Sequence, residues 1–313
     1  MSKGAKNEAY CGVKHVRDIA ADALPEFSRD IISAVCDFDH EVRFMWSLGE
    51  KEEINFNWNR IHAVTLNPKT GHIFAWSIMA IEIYTLEGKY IKTFQPDIED
   101  SHIFKPRALV FATNGELFII DNHDDFVYVF QEDGKLVRKW DVHVSDAVHF
   151  RRPSAIALDG KGHIYLACDH NHSVGKFTTD GVYMSTFFHR RVPLDLTGMA
   201  VCSNGMILIH NSDSSKVDQY LDHFTMDEHT RPPIVLPTHH QYATTATSDL
   251  GGAMIFAERK KNSLLFTHPA RAPMYLEHAG GHTFSTLWGV SYCPVRKILL
   301  VMNKDERIDV FSY

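Results

Sequence analysis

Apolar residues in this chain come in short runs, and the runs come in groups that repeat. Pro106 to Asp121 reads PRALVFATNGELFIID, and Pro153 to Cys168 reads PSAIALDGKGHIYLAC. Each phrase is an apolar run, a turn rich in Gly, Asn, Asp or Lys, then a second apolar run. A polar tip and a third run ending in an aromatic complete the group. Six first-run positions line up: Ala63, Ala108, Ala155, Gly198, Ala243 and Gly289, with successive differences of 45, 47, 43, 45 and 46. A period of this size is the mark of a quasi-cyclic or solenoid repeat architecture.

Within a group the runs alternate with period two, as at Val182, Met184 and Thr186, or are short and continuous, as from Ile298 to Met302. Both patterns predict strands of about 4–8 residues. Turn signals fall between them at Asn67 to Gly71, Thr113 to Gly115, Asp159 to Gly162, Ser203 to Gly205 and Leu250 to Gly252. Asn-Gly and Asp-Gly steps supply the positive φ that tight hairpins need. In the second group the predicted strands are 108–112, 116–121, 126–131 and 136–140. The last group stops after a third strand, from Arg307 to Tyr313. The segment 41–49 matches the outer-strand pattern and can supply the fourth, which would remove the exposed edges of an open array. The pattern therefore predicts an all-β chain: a six-bladed β-propeller of four-stranded blades over 41–313, closed by the 41–49 strand.

Residues 1–40 differ. Ile19, Ala23, Leu24, Phe27, Ile31, Ile32, Val35 and Phe38 recur mostly every three or four positions, predicting a short, partly helical extension interrupted near Pro25. A brace against the propeller is its expected role, with a docking helix as the alternative.

The repeated phrase resembles the NHL-repeat family of propellers. Pro153, Ala155, Ala157, Asp159, Gly162, Ile164, Tyr165, Ala167, Asn171, Phe177 and Gly181 fall at matching places in the third group. Ala108 and Ala155 replace a Gly of the family pattern, and Cys168 stands where the family often has Asp. The resemblance covers about 41–313 and implies the fold.

Composition narrows the function classes. There are 32 basic against 39 acidic residues, a formal net charge of −7. No stretch approaches the roughly 18 apolar residues of a membrane span, and the start lacks the apolar core of a signal peptide. Five cysteines without a Cys-x-x-Cys pair suit a reducing compartment. A soluble, intracellular protein is the expectation, with Cys168 and Cys202 buried in strands.

Candidate chemistry sits on the face shared by the loops before each first strand and the loops between second and third strands, here the top face. Lys105, Arg107, Arg151, Arg152, Arg190 and Arg191 open three successive blades and predict a basic arc able to bind carboxylate or phosphate. Phe104, Phe150 and Phe188 lie beside them. Exposed, they would stack nucleic-acid bases, so single-stranded RNA is an alternative ligand, although a dedicated nucleic-acid binder is usually basic overall. No DNA-binding motif occurs. The second-to-third-strand loops carry His123, His170 and His172, with Asp124, Asp125 and Asp169 nearby, as candidates for a divalent metal. The twenty histidines are otherwise scattered over different groups.

The start of each inner strand offers His62, Arg107, Ser154, Thr197, Tyr242 and Trp288 at the channel mouth. That set contains no carboxylate for calcium, and only His62 occupies the kind of position at which amidating lyases of this fold hold zinc. There is no phosphate loop, Gly-x-Ser-x-Gly elbow or His-Glu-x-x-His. No catalytic residues and no cofactor are therefore predicted. The sequence points to a non-catalytic scaffold that binds a macromolecular partner, foremost a protein, through the basic arc with Tyr242 and Trp288 as aromatic anchors. A metal-dependent lyase or hydrolase acting in the central channel is the alternative.

Overall fold

The computed structural model describes residues 42–48, 61–77, 80–98, 106–121, 124–145, 148–150, 153–159, 161–168, 173–188, 196–201, 206–211, 216–221, 234–235, 242–248, 254–258, 262–268, 271–279, 282–284, 287–303 and 307–312. Every regular element among them is a strand. Blade one is Ile61–Leu66, Ile73–Ser77, Ile81–Tyr84 and Tyr90–Phe94, paired in that order. Blade two is Pro106–Phe111, Leu117–Asp121, Phe126–Phe130 and Leu136–Asp141. Blade three is Ala155–Leu158, His163–Cys168, Ser173–Thr178 and Tyr183–Phe188. Blade four is Leu196–Val201, Met206–Asn211, Lys216–Leu221 and Ile234–Val235. Blade five is Tyr242–Ser248, Met254–Glu258, Ser263–His268 and Arg271–Leu276.

The expected architecture needs correction in its blade count. The chain forms five blades of its own, each from four consecutive strands, and not six. The last repeat runs out after Leu287–Cys293, Ile298–Asn303 and Ile308–Ser312. Its sheet is composite, because Arg43–Leu48 from the other end of the chain lies antiparallel against Ile308–Ser312, with Arg43 opposite Ser312 and Leu48 opposite Ile308. No helix occurs among the described residues, and the segment predicted to be partly helical, 1–40, lies outside them. Two small ribbons were not predicted: His143–Ser145 with Val148–His149, and His278–Ala279 with His282–Thr283.

Inner strands of successive sheets touch in cyclic order, and the closing sheet's inner strand touches that of blade one. The core lies between sheets. Phe74, Ile81, Ile83 and Phe94 of blade one pack with Leu109, Leu117, Ile119 and Phe130 of blade two. Tyr84 of blade one packs with Leu300, Ile308 and Val310 of the closing sheet. A second strand is therefore covered on both faces, and Leu117–Asp121 and Ile298–Asn303 are buried along their whole length. Leu136–Asp141, an outer strand, alternates half-buried and exposed, as expected where one face meets water.

Polar clasps tie neighbouring sheets together on the face opposite the predicted site. Glu132 in a blade-two turn accepts from Asn67 at 2.6 Å and Thr70 at 2.9 Å of blade one, and also contacts His72. Arg138 makes two bonds to Glu116 within blade two, at 2.7 and 2.9 Å, and donates to the Thr179 carbonyl of blade three. Arg296 of the closing sheet donates to the carbonyls of Pro68 and Lys69 in blade one.

Candidate functional site at the mouth of the ring

Inner strands share a local defect at their first residues. In blade one Ile61 pairs with Ser77 and Ala63 with Trp76, so His62 is an extra residue in the ladder. Blade two pairs Pro106 with Asp121 and Ala108 with Ile120, leaving Arg107 extra. The same slip leaves Thr197 extra in blade four and Trp288 extra in the closing sheet. In blade five the register slips between Tyr242 and Ala246. Blade three has its own version: the Ser154 amide and hydroxyl both donate to the Ala167 carbonyl, at 2.7 and 3.3 Å, while Ala155 pairs with Ala167. A bulge of this kind bends the strand and re-aims a side chain. Four of the six positions singled out at the channel mouth, His62, Arg107, Thr197 and Trp288, are thus the extra residue of such a bulge, whereas Tyr242 is paired with Glu258 and Ser154 precedes its strand.

Arg107 is exposed. Its companions in the predicted basic arc, Lys105, Arg151, Arg152, Arg190 and Arg191, lie outside the described residues, as do His123, His170 and His172. Tyr242, Trp288 and His62 are placed on their strands by register. No group of three or more His, Cys, Asp or Glu suited to a metal occurs among the described residues. Asp124, expected near the candidate metal ligands, accepts from the Tyr128 hydroxyl at 2.5 Å and the Phe126 amide at 3.1 Å. Phe150, considered as a stacking platform for bases, is instead buried against Phe177 and Tyr183. Its ring fills the space above Gly175.

One layer was missed from the sequence. The top ends of the second strands carry Asp121, Cys168 and Glu258, all fully buried, and Asn303, nearly so. Asp121 faces Pro106 and Glu258 faces Tyr242 across the inner pair. Both carboxylates have interactions of their own, as buried charges require. A signal was available: a polar or thiol residue ends an otherwise apolar run at the same point of each phrase.

Residues 150–177 match the family model of the NHL repeat. Repeat and fold together define the class as far as it is shown: a β-propeller with a match to the NHL repeat in its third blade. No curated protein is matched by the sequence. Among solved structures, a catalytically inactive virginiamycin B lyase from Staphylococcus aureus with quinupristin has a TM-score of 0.58 at 14% identity, covering 83% of each chain. A chain of a nidogen/laminin complex has a TM-score of 0.53 at 16% identity, over 67% of this chain and 76% of that one. A chain of a mitotic checkpoint complex has a TM-score of 0.57 at 8% identity, over 87% and 92%. At these identities the likeness is one of fold. No helix among the described residues is long and apolar enough to cross a membrane.

Proposed function

We propose that this propeller is a non-catalytic scaffold that displays its top face to a macromolecular partner, foremost a protein. The observation carrying this reading is the ring of backbone bulges. A repeated backbone frame holds chemically diverse residues, His62, Arg107, Thr197 and Trp288, at equivalent positions of four inner strands. Loops and strand ends on such a frame vary without disturbing the sheets, which favours recognition. Two of the structural neighbours come from protein complexes, which supports a protein partner. The lyase neighbours supply a fold at 12–14% identity and no residue carried over.

The test is recovery of partners from lysate with the intact protein and with Arg151, Arg152, Arg190 and Arg191 all changed to Glu, assaying protein and RNA together. A protein lost only with the folded variant is the expected result. Selective loss of RNA would replace the protein reading with the RNA one, and identical recovery would remove the basic arc from the function.

A further inference from the structure

Two buried carboxylates stand on third strands where the ring closes, Asp309 in the closing sheet and Glu82 in blade one. They are satisfied very differently. Asp309 has the Arg307 guanidinium beside it and accepts from Ser47 and Asn303. Glu82 is 8% exposed, and among the described residues its carboxyl has one partner, the fully buried Tyr84, whose hydroxyl donates to it. Glu82 stands opposite Ala75 and Thr93 in the ladder and two residues before Tyr84, so the four share one face of blade one. On that face Ala75 and Tyr84 pack with Leu300, Met302, Ile308 and Val310 of the closing sheet, and Trp46 of the first strand packs against them. Ile81 and Ile83 point the other way, toward blade two. The Glu82 carboxyl therefore lies in the seam between the closing sheet and blade one, among apolar side chains.

The titratable groups of this seam are Tyr84, Tyr90, whose ring meets that of Tyr84, and Cys293 of the closing sheet. None of them is a cation. Of the bases nearby, Arg296 sits at the opposite end of the seam and donates to the carbonyls of Pro68 and Lys69. Lys92, on the outer strand, reaches away to the Asp133 carbonyl of blade two. Ionising a carboxyl in such a place is costly, because no opposite charge offsets the loss of water. We propose that this seam is a proton-operated latch: it holds tight while Glu82 is protonated, and it loosens around Trp46, whose ring covers Gly88 of blade one, when Glu82 ionises. Burial pushes the Glu82 carboxyl above its usual 4.5, against the smaller downward pull of the Tyr84 hydroxyl. A carboxyl raised in the folded state contributes stability that is fully present below its unfolded value and is lost as pH rises through the folded one. The latch therefore closes on acidification, the opposite sense to an ion-paired carboxylate.

The test compares the full chain with Glu82→Gln, which keeps the shape of the side chain and stays neutral, by urea denaturation and amide hydrogen exchange from about pH 4 to about pH 8. The variant is expected to have the higher urea midpoint at the upper end. The gap should shrink as pH falls toward 4.5 and settle to a constant remainder below it. Exchange in Arg43–Leu48 and Ile81–Tyr84, corrected for its intrinsic pH dependence, should quicken with pH about threefold more in the parent than in the variant. In His163–Cys168 of blade three the two proteins should match. Tyr84→Phe is the second variant. A hydroxyl donates more strongly to a charged carboxyl than to a neutral one, so its loss of midpoint relative to the parent should grow as pH rises. A gap between parent and Glu82→Gln that does not change with pH overturns the proposal, as does a parent more stable than that variant at the upper end. So do exchange differences of equal size in blades one and three, or a Tyr84→Phe loss that is the same at every pH.

Discussion

At the scale of single residues, the polar contacts that matter for stability are those joining two blades. Arg138 is the clearest. It holds Glu116 with two bonds and reaches the Thr179 carbonyl of the next blade, with Asp180 at 3.5 Å. The Arg138 guanidinium keeps the Glu116 carboxyl below its usual 4.5, and Glu116 in turn pushes Arg138 upward. A carboxyl whose folded pKa is depressed contributes stability that is fully present above its unfolded value and is lost as pH falls through the folded one. Glu116→Gln should therefore cost about 1 kcal/mol at neutral pH, the scale of a partly exposed but bidentate pair. The difference from the parent should shrink as pH drops below 4.5 and vanish once Glu116 is protonated. Urea denaturation of both proteins at several pH values measures it. A constant difference at all pH values would show that the pair is not the source.

At the scale of elements, the turns between third and outer strands do more than reverse the chain. Gly134 sits at φ 97°, and a Cβ there would stand 2.1 Å from the Gln95 carbonyl oxygen of blade one. The left-handed backbone and the close approach of two blades both require glycine. Gly162 has a similar φ of 92° but nothing within 4 Å of a built Cβ. Gly134→Ala should then lose about 3 kcal/mol, and Gly162→Ala only the roughly 1–2 kcal/mol of the backbone conformation. Chemical denaturation of the two variants decides whether contact between blades adds to local strain; equal losses would say it does not. The outer strands show a second device. Met45, Ile91, Val137 and Met184 are each the extra residue of an outer-strand bulge, and each is exposed. Such bulges twist an edge away from pairing with another chain. The four sites were legible as strand positions but not as bulges, since an extra residue leaves the apolar count of the run unchanged. The inner-strand slips were hidden for the same reason. His62, Arg107 and Trp288 could be placed at strand starts, but only the cross-strand partners reveal that the ladder skips them.

At the scale of the whole molecule, the problem is to close a ring whose last repeat is one strand short. Period and strand pattern were readable along the chain because apolar runs fall at fixed intervals, and 41–49 could be matched to the missing outer strand by its own pattern. The contact that fixes it was not readable, since it joins positions 262 residues apart. Asp309 is fully buried in the third strand of the closing sheet. Its Oδ1 accepts from the Ser47 hydroxyl at 2.6 Å and lies 2.9 Å from Arg307 Nε, and its Oδ2 accepts from Asn303 Nδ2 at 2.8 Å. One carboxylate thus links the strand from the start of the chain to two strands from its end. Apolar contacts support the same junction, with Phe44 edge-on to Phe311 and Val42 buried beside them. Removing the carboxylate takes a counter-charge from Arg307, which is 17% exposed, and strips the half-buried Ser47 hydroxyl and the buried Asn303 amide of an acceptor. Breaking a buried charged pair from one side costs about 3 kcal/mol or more, whereas losing one neutral donor costs about 1 kcal/mol. Asp309→Ala should therefore destabilise about three times as much as Ser47→Ala in urea denaturation. It should also make the chain around residue 48 cleavable by protease before the rest unfolds, because the first strand is then held only by its backbone ladder to Ile308–Ser312 and by apolar packing. If Asp309→Ala unfolds in a single step with a loss no greater than that of Ser47→Ala, the ring is closed by Phe44, Phe311 and Val42, and the buried carboxylate is incidental to closure.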